Sequence, residues 1–282
     1  MKKLLLLLAM TSLSNAQDSK LKDYWFNGAE ISTFKLEQAQ YGTAYSGRAE
    51  LIFATEPFLL GKHVKNERGQ GESTMVLKLN SLRSFNTGIY SNRTMISTFR
   101  PMDLEKFPHA LKSTSSLQDW CGQSFQQMNY RNDSWKVEHR SYFEHGGDQN
   151  LTLAKSYAED GLWLTLRLNP QKLPTGDIQV IPGAFYIHLR GQKIAPIKAQ
   201  ASLKQDGESS TYTLTYPEIR RTLKIKFSTK FPHFVQKWTD KNRAGTTTAT
   251  LDKRLTHMPY WNHSRPQDGD KRRQLGLDPV AN

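Results

Sequence analysis

The chain has 282 residues, 39 Lys and Arg against 26 Asp and Glu, and a formal net charge of +13, so it can bury a sizeable core as one large domain or two small ones. A single cysteine, Cys121, excludes an internal disulfide, and stability in an oxidising compartment must come from burial alone. The positive charge favours acidic partners, but basic residues are nowhere interleaved with stacking aromatics on a recognised module, so nucleic acid is not expected among them.

The first 16 residues read as a signal peptide. Met1-Lys2-Lys3 is the positive n-region, Leu4 to Met10 the apolar stretch, and Ser14-Asn15-Ala16 the small-residue cleavage site. Cleavage there removes Lys2 and Lys3 and leaves a charge of +11. The apolar run is far short of the roughly 20 residues that span a bilayer, and no later segment reaches that length. The cleavage site carries no cysteine for a lipid anchor, so the expected product is a soluble exported protein, periplasmic or extracellular.

From residue 17 to 240 the dominant pattern is the alternation of half-buried antiparallel strands. Strands are expected at Ala49 to Ala54, Met75 to Leu79 and Thr94 to Phe99, and Gly61 to Gly71 reads as a polar surface loop between the first two. A turn is expected near Leu104 to Leu111. Gln123 to Tyr130 and Trp135 to Tyr142 form a candidate hairpin turning at Arg131-Asn132-Asp133-Ser134. Ser156 with Glu159 makes a capping box ahead of Ala158, Leu162 and Leu166, and Asn169-Pro170 stops that run, which is the best helix in the chain. Gly183 to Arg190 reads as a further strand. Ile197 to Leu203 turns at Asp206-Gly207 onto Thr211 to Tyr216, and Leu223, Ile225 and Phe227 alternate with Lys224 and Lys226. Residues 241–282 are basic, polar and turn-rich, and an extended tail is expected there, with only Tyr260-Trp261 and Leu275 to Leu277 docking. The fold class is therefore mainly β: a long, curved, half-barrel-like antiparallel sheet with one or two helices packed on it.

Two nucleophile motifs are incomplete. Ser32-Thr33-Phe34-Lys35 matches S-x-x-K, but no S-D-N or K-T-G element accompanies it and the stretch reads as strand. Gly122-Gln123-Ser124-Phe125-Gln126 begins like a nucleophile elbow, yet Gln126 replaces the second glycine that the tight turn needs. Cys121 is a candidate thiol nucleophile, with His109, His139 or His145 as its base, although a lone cysteine more often serves as a small apolar residue. His139, Glu144, His145 and Asp148 fall within ten residues and offer metal-donor types at an unfamiliar spacing, and a polar strand end followed by a Gly146-Gly147 turn accounts for them equally well. Phosphate-loop and dinucleotide glycine patterns are absent, and no cofactor is expected. Tyr24-Trp25-Phe26, Trp120 and Tyr142 are candidates to line a hydrophobic ligand cavity, as curved sheets often provide; core packing is the simpler role for any one of them.

As a set, several segments resemble a group of bacterial exported proteins, many made as lipoproteins, that carry the label "septum formation inhibitor Maf". They include Tyr24-Trp25-Phe26, Lys35-Leu36-Glu37-Gln38, Thr55-Glu56-Pro57-Phe58, Phe85-Asn86-Thr87-Gly88-Ile89-Tyr90, Trp120-Cys121-Gly122, Leu173-Pro174-Thr175-Gly176 and Ile181-Pro182-Gly183. Genuine Maf proteins are cytoplasmic nucleotide pyrophosphatases with an N-terminal Ser-x-x-Arg-Arg motif. The paired arginines here, Arg220-Arg221 and Arg272-Arg273, stand in no such context. The resemblance thus implies an envelope compartment and a domain, with no assigned activity. In strand rhythm the chain is also similar to the curved half-barrels of envelope lipoprotein carriers, which is an analogy of fold. The function expected is non-catalytic binding of a lipid or other hydrophobic or amphipathic envelope molecule, or association with an anionic envelope surface. The alternative is an exported hydrolase using Cys121 or the cluster from His139 to Asp148.

Overall fold

The computed structural model describes residues 19–144 and 146–277; residues 1–18, which hold the expected signal peptide, together with His145 and residues 278–282, lie outside the described residues. Alternation builds one sheet. In chain order its strands are β1 (Ala29–Gln40), β2 (Thr43–Leu59), β3 (Val64–Lys65), β4 (Ser73–Thr87), β5 (Tyr90–Pro101), β6 (Lys112–Gln118), β7 (Gln123–Arg131), β8 (Ser134–Ser141) and β9 (Gln149–Ala154). There follow β10 (Tyr157–Ala158), β11 (Gly176–Ile181), β12 (Ile197–Asp206), β13 (Ser209–Tyr216), β14 (Arg221–Ser228), β15 (Val235–Asn242) and β16 (Gly245–Met258). The spatial order runs β10 to β16, then β1, β2, and β4 to β9, with β3 beside β2. Among the described residues only β10 and β11 pair in parallel. The last strand pairs with the first, so β16 against β1 joins the two halves of the chain in the middle of the sheet.

Short hairpins set the register. Asn132 and Asp133 adopt φ of 49° and 53° between β7 and β8, the two left-handed residues of a type I′ turn. Gly207-Glu208 turns β12 onto β13. Along β13 and β14 every second side chain is buried, so Tyr212, Leu214 and Tyr216 face inward with Leu223, Ile225 and Phe227, while Lys224 and Lys226 face out.

The inner face is covered from within. Helix α2 (Glu159–Leu168) has every residue except Asp160 buried, including Glu159 and Arg167, whose charges are paired inside by Arg221 and Glu30. Its Leu162, Trp163, Leu164, Leu166 and Leu168 pack with Phe34, Leu51, Phe53 and Leu77 of one half-sheet and Leu214, Leu223, Ile225 and Trp238 of the other. The remaining helices are α1 (residues 19–25), α3 (Ala184–Arg190) and the short α4 (Asp270–Gln274). Among the described residues none is long and apolar enough to cross a membrane.

Three expectations change. The segment from Gly183 to Arg190 is helical, because Ala184 N–H is capped by Asp160 Oδ2 at 3.1 Å, a tertiary bond that overrides the strand-like composition Phe185-Tyr186-Ile187. The capping box at Ser156 does not form: Ser156 Oγ donates to Ala154 O, and Glu159 is drawn away by Arg221. Residues 241–258 are not an extended tail. Gly245–Met258 is a central strand whose Thr247 and Ala249 are buried, while Leu275 does dock, against Ala29, Ile31 and Ala54.

Candidate functional site

The residues singled out from sequence are dispersed. Trp25 is core, tilted against Phe53 at 6.0 Å between centroids. Trp120 and Tyr142 are 71% and 79% exposed, at the rim where β6, β7 and β8 turn. Cys121 is exposed in the same turn, its N–H held by Asp119 Oδ1 at 2.7 Å. His139 is buried on β8 beside His188 of α3, with ring centroids 6.0 Å apart. Glu144 and Asp148 are exposed, Asp148 accepting from Ser141 N–H at 3.2 Å. His145 lies outside the described residues, and among the described residues no three such donors come together.

Instead α3 brings His188 between two serines of neighbouring strands. Its Nε2 is 2.8 Å from Ser115 Oγ and its Nδ1 2.9 Å from Ser124 Oγ. Burial, and then His139, push His188 down to about 4, so at neutral pH it donates through one nitrogen and accepts through the other. His139 and His188 line an open groove of about 590 Å³.

The barrel interior is charged at the α2 N-terminus. Arg221 clamps Glu159 with bonds of 2.6 and 2.7 Å and Asp240 with bonds of 2.8 to 3.1 Å, and Tyr216 OH donates to Glu159 at 2.6 Å. Burial, then the Glu159 charge, push Asp160 up to about 7. Arg83 lies 3.9 Å over the Phe185 ring of α3, which thereby caps this end. A Cβ on Gly183 would stand 2.4 Å from Glu159 Oε1, so glycine is what lets α3 approach. The cavity between these groups measures about 30 Å³, against roughly 300–1,000 Å³ for sites that hold small molecules. It has room for a water or two.

Space for a ligand opens at the other end of α2. Arg167, buried in the last turn, forks onto Glu30 with bonds of 2.7 and 2.5 Å and lies 4.4 Å over Phe53 and 5.0 Å over Trp25. Burial acts to raise the Glu30 carboxyl, but the Arg167 charge and its hydrogen bonds outweigh that and hold it below the usual range. Tyr24 OH donates to the same carboxylate at 2.6 Å, and Thr55 Oγ1 donates to Trp25 O at 2.9 Å. These bonds pin α1 across the barrel end. Opposite α1, Met102 N–H donates to Met75 O at 3.0 Å, and Asp103 Oδ1 caps the next turn through Glu105 and Lys106 N–H.

Between α1 and this loop lies a groove of about 630 Å³. Leu21, Phe26, Met75, Met102, Leu104 and Leu168 line it, with Lys22, Asp103, Glu105 and Lys172 at its rim. Unbranched methionines suit an apolar surface that must fit a flexible partner. Phe26 is the one member that sequence reading singled out; the rest were missed because they come from separate segments. The available signal was Met102 and Leu104, apolar residues inside a polar connection.

An open β-barrel-like sheet wound round a buried helix is the class to which this chain belongs. No family model matches the chain, and no curated protein does. Among solved structures it is similar to a beta-barrel-like protein of the domain of unknown function DUF1849 from Brucella abortus. That alignment covers 81% of this chain and 98% of the other at 7% identity, with a TM-score of 0.50, a likeness of fold. A putative outer membrane lipoprotein-sorting protein domain from Vibrio parahaemolyticus aligns over 87% of this chain and 91% of its own at 8% identity, with a TM-score of 0.26.

Proposed function

We propose that this is an exported envelope protein that binds one amphipathic molecule, its apolar chain laid in the groove between α1 and the loop after β5. The observation that carries the proposal is the groove itself: about 630 Å³, apolar along its walls and charged at its rim, beside an interior too full to admit anything larger than water. Lys22 and Lys172 supply cations for an anionic head group, Lys172 exchanging its pairing with Glu105. The leader-like N-terminus and the resemblance to exported lipoprotein-family proteins support the compartment. The binding is tested by titrating a fluorescent fatty-acid analogue into the purified protein. Saturable binding is expected, weakened at least tenfold in Phe26→Asp/Met102→Asp; no saturation, or equal binding by that variant, would sink the proposal.

Hydrolysis is the second reading, and Ser124 with His188 is the observation that favours it. The geometry is poorly suited: both imidazole nitrogens are taken by serines, and a base held at about 4 is far from the operating pH. A fluorophosphonate probe is therefore expected to leave Ser124 unlabelled.

A further inference from the structure

The outer face of the sheet carries a row of cations that the amphipath groove does not use. Strand pairing places Lys204 opposite Thr211, Thr211 opposite Lys226, Lys226 opposite Lys237, and Lys237 opposite Thr250. Thr250 then faces Lys35, Lys35 faces Arg48, Arg48 faces Ser84, and Ser84 faces Arg93. Six basic residues and no acidic one thus stand in a single transverse register across nine consecutive strands, from β12 to β5. At 4.7–4.9 Å per strand the row runs about 38 Å. All six point away from the core, since Ile225, Phe227, Trp238, Phe34 and Ala49 beside them point into it.

One half of the row is recessed. Lys35, Arg48, Ser84 and Arg93 line a polar surface groove of about 610 Å³. Gly47 is on its floor, where a Cβ would come within 2.4 Å of Ser84 O. Acidic neighbours lie one row away. Asp252 is 3.8 Å from Lys35, a loose pair on a lysine side chain 81% exposed, and Glu50 accepts from Arg48 Nε at 2.6 Å. The flanking row on the other side holds Thr213, Thr239, Thr248 and Ser46, together with Lys224 and Glu37.

We propose that this row is a binding track for an acidic polysaccharide running across the strands. Three observations select that ligand among polyanions. The row follows the convex side of a curved sheet, which a flexible chain can wrap and a flat anionic bilayer touches only in part. The flanking hydroxyls match the hydroxyls of sugars. No aromatic side chain stands in either row to stack a nucleobase, which single-stranded nucleic acid requires. The track is independent of the amphipath groove and stands or falls separately from it.

The test uses the mature protein and fluorescent oligogalacturonate, a linear uronate polymer, followed by anisotropy across a salt series. Saturable binding that weakens with salt is expected. Lys35→Gln/Lys226→Gln/Lys237→Gln should weaken it at least tenfold and flatten the salt dependence. The control Lys62→Gln/Lys155→Gln/Lys193→Gln removes the same charge from exposed lysines outside the row and should stay within twofold of the parent. Equal losses in both triple variants would reduce the effect to net charge and overturn the track. So would tighter binding to phosphatidylglycerol vesicles, or to oligothymidylate, than to the uronate.

Discussion

At the scale of single residues, the interior is held by buried charges whose responses to pH have opposite signs. Glu30 and Asp240 have carboxyls held below their ordinary values; for both, burial works upward and is outweighed by Arg167 or Arg221. Their contribution is present above the unfolded values of 4.5 and 3.8 and is lost as pH falls through the folded ones. Asp160 runs the other way. Raised from 3.8 to about 7, it keeps a proton in the folded state that the unfolded chain has released, so stability declines as pH rises from about 4 to 7. Asp160→Asn should flatten that decline in thermal melts between pH 5 and 8, by at most roughly 3 kcal/mol at 1.36 kcal/mol per unit. Glu30→Gln leaves the Arg167 cation buried without its partner. A loss of about 3–5 kcal/mol is expected in urea unfolding, and Glu30→Gln/Arg167→Met should recover much of it. A double variant no better than the single one would mean that the pair is not the source of the loss.

At the scale of elements, α3 tests how the barrel end is closed. Gly183→Ala adds a methyl against Glu159 Oε1 without straining the backbone, since φ there is −60°. Displacing Glu159 from Arg221 should cost about 1–3 kcal/mol, measured by chemical unfolding, with the sheet intact by circular dichroism. Elements were legible in sequence where local pattern and tertiary packing agreed. The alternation of β13 and β14, the Asn132-Asp133 turn and the α2 run with its Asn169-Pro170 stop all stand in the structure. α3 was illegible because its strand-like residues are made helical by a cap from Asp160, 24 positions earlier in the chain. β16 was illegible because Thr246, Thr248, Asp252 and Lys253 read as polar tail until β1 and β15 supply its neighbours. The candidate site was hidden for the same reason. His188, Met75 and Leu21 acquire a role only from what the sheet brings beside them, whereas Cys121, Trp120 and Tyr142, which drew notice as unusual residues, are left on an exposed rim.

At the scale of the whole molecule, the sheet separates three environments. Its inner face is filled by α2, one end is closed by α3 through charged and aromatic contacts, and the other is bridged by α1 over an apolar groove. A curved sheet that fills its own interior leaves binding to its ends and its outer face, and the apolar groove and the basic row are found there. If the groove between α1 and the loop after β5 holds an amphipathic molecule, that molecule should travel with the protein through gentle purification. Native mass spectrometry of the protein purified gently from its own cell envelope, with denaturing extraction to identify what it carried, tests this most directly. One acyl-chain molecule per protein is expected, absent from Phe26→Asp/Met102→Asp. A clean apo mass for the parent protein, or the same adduct on the variant, would contradict it.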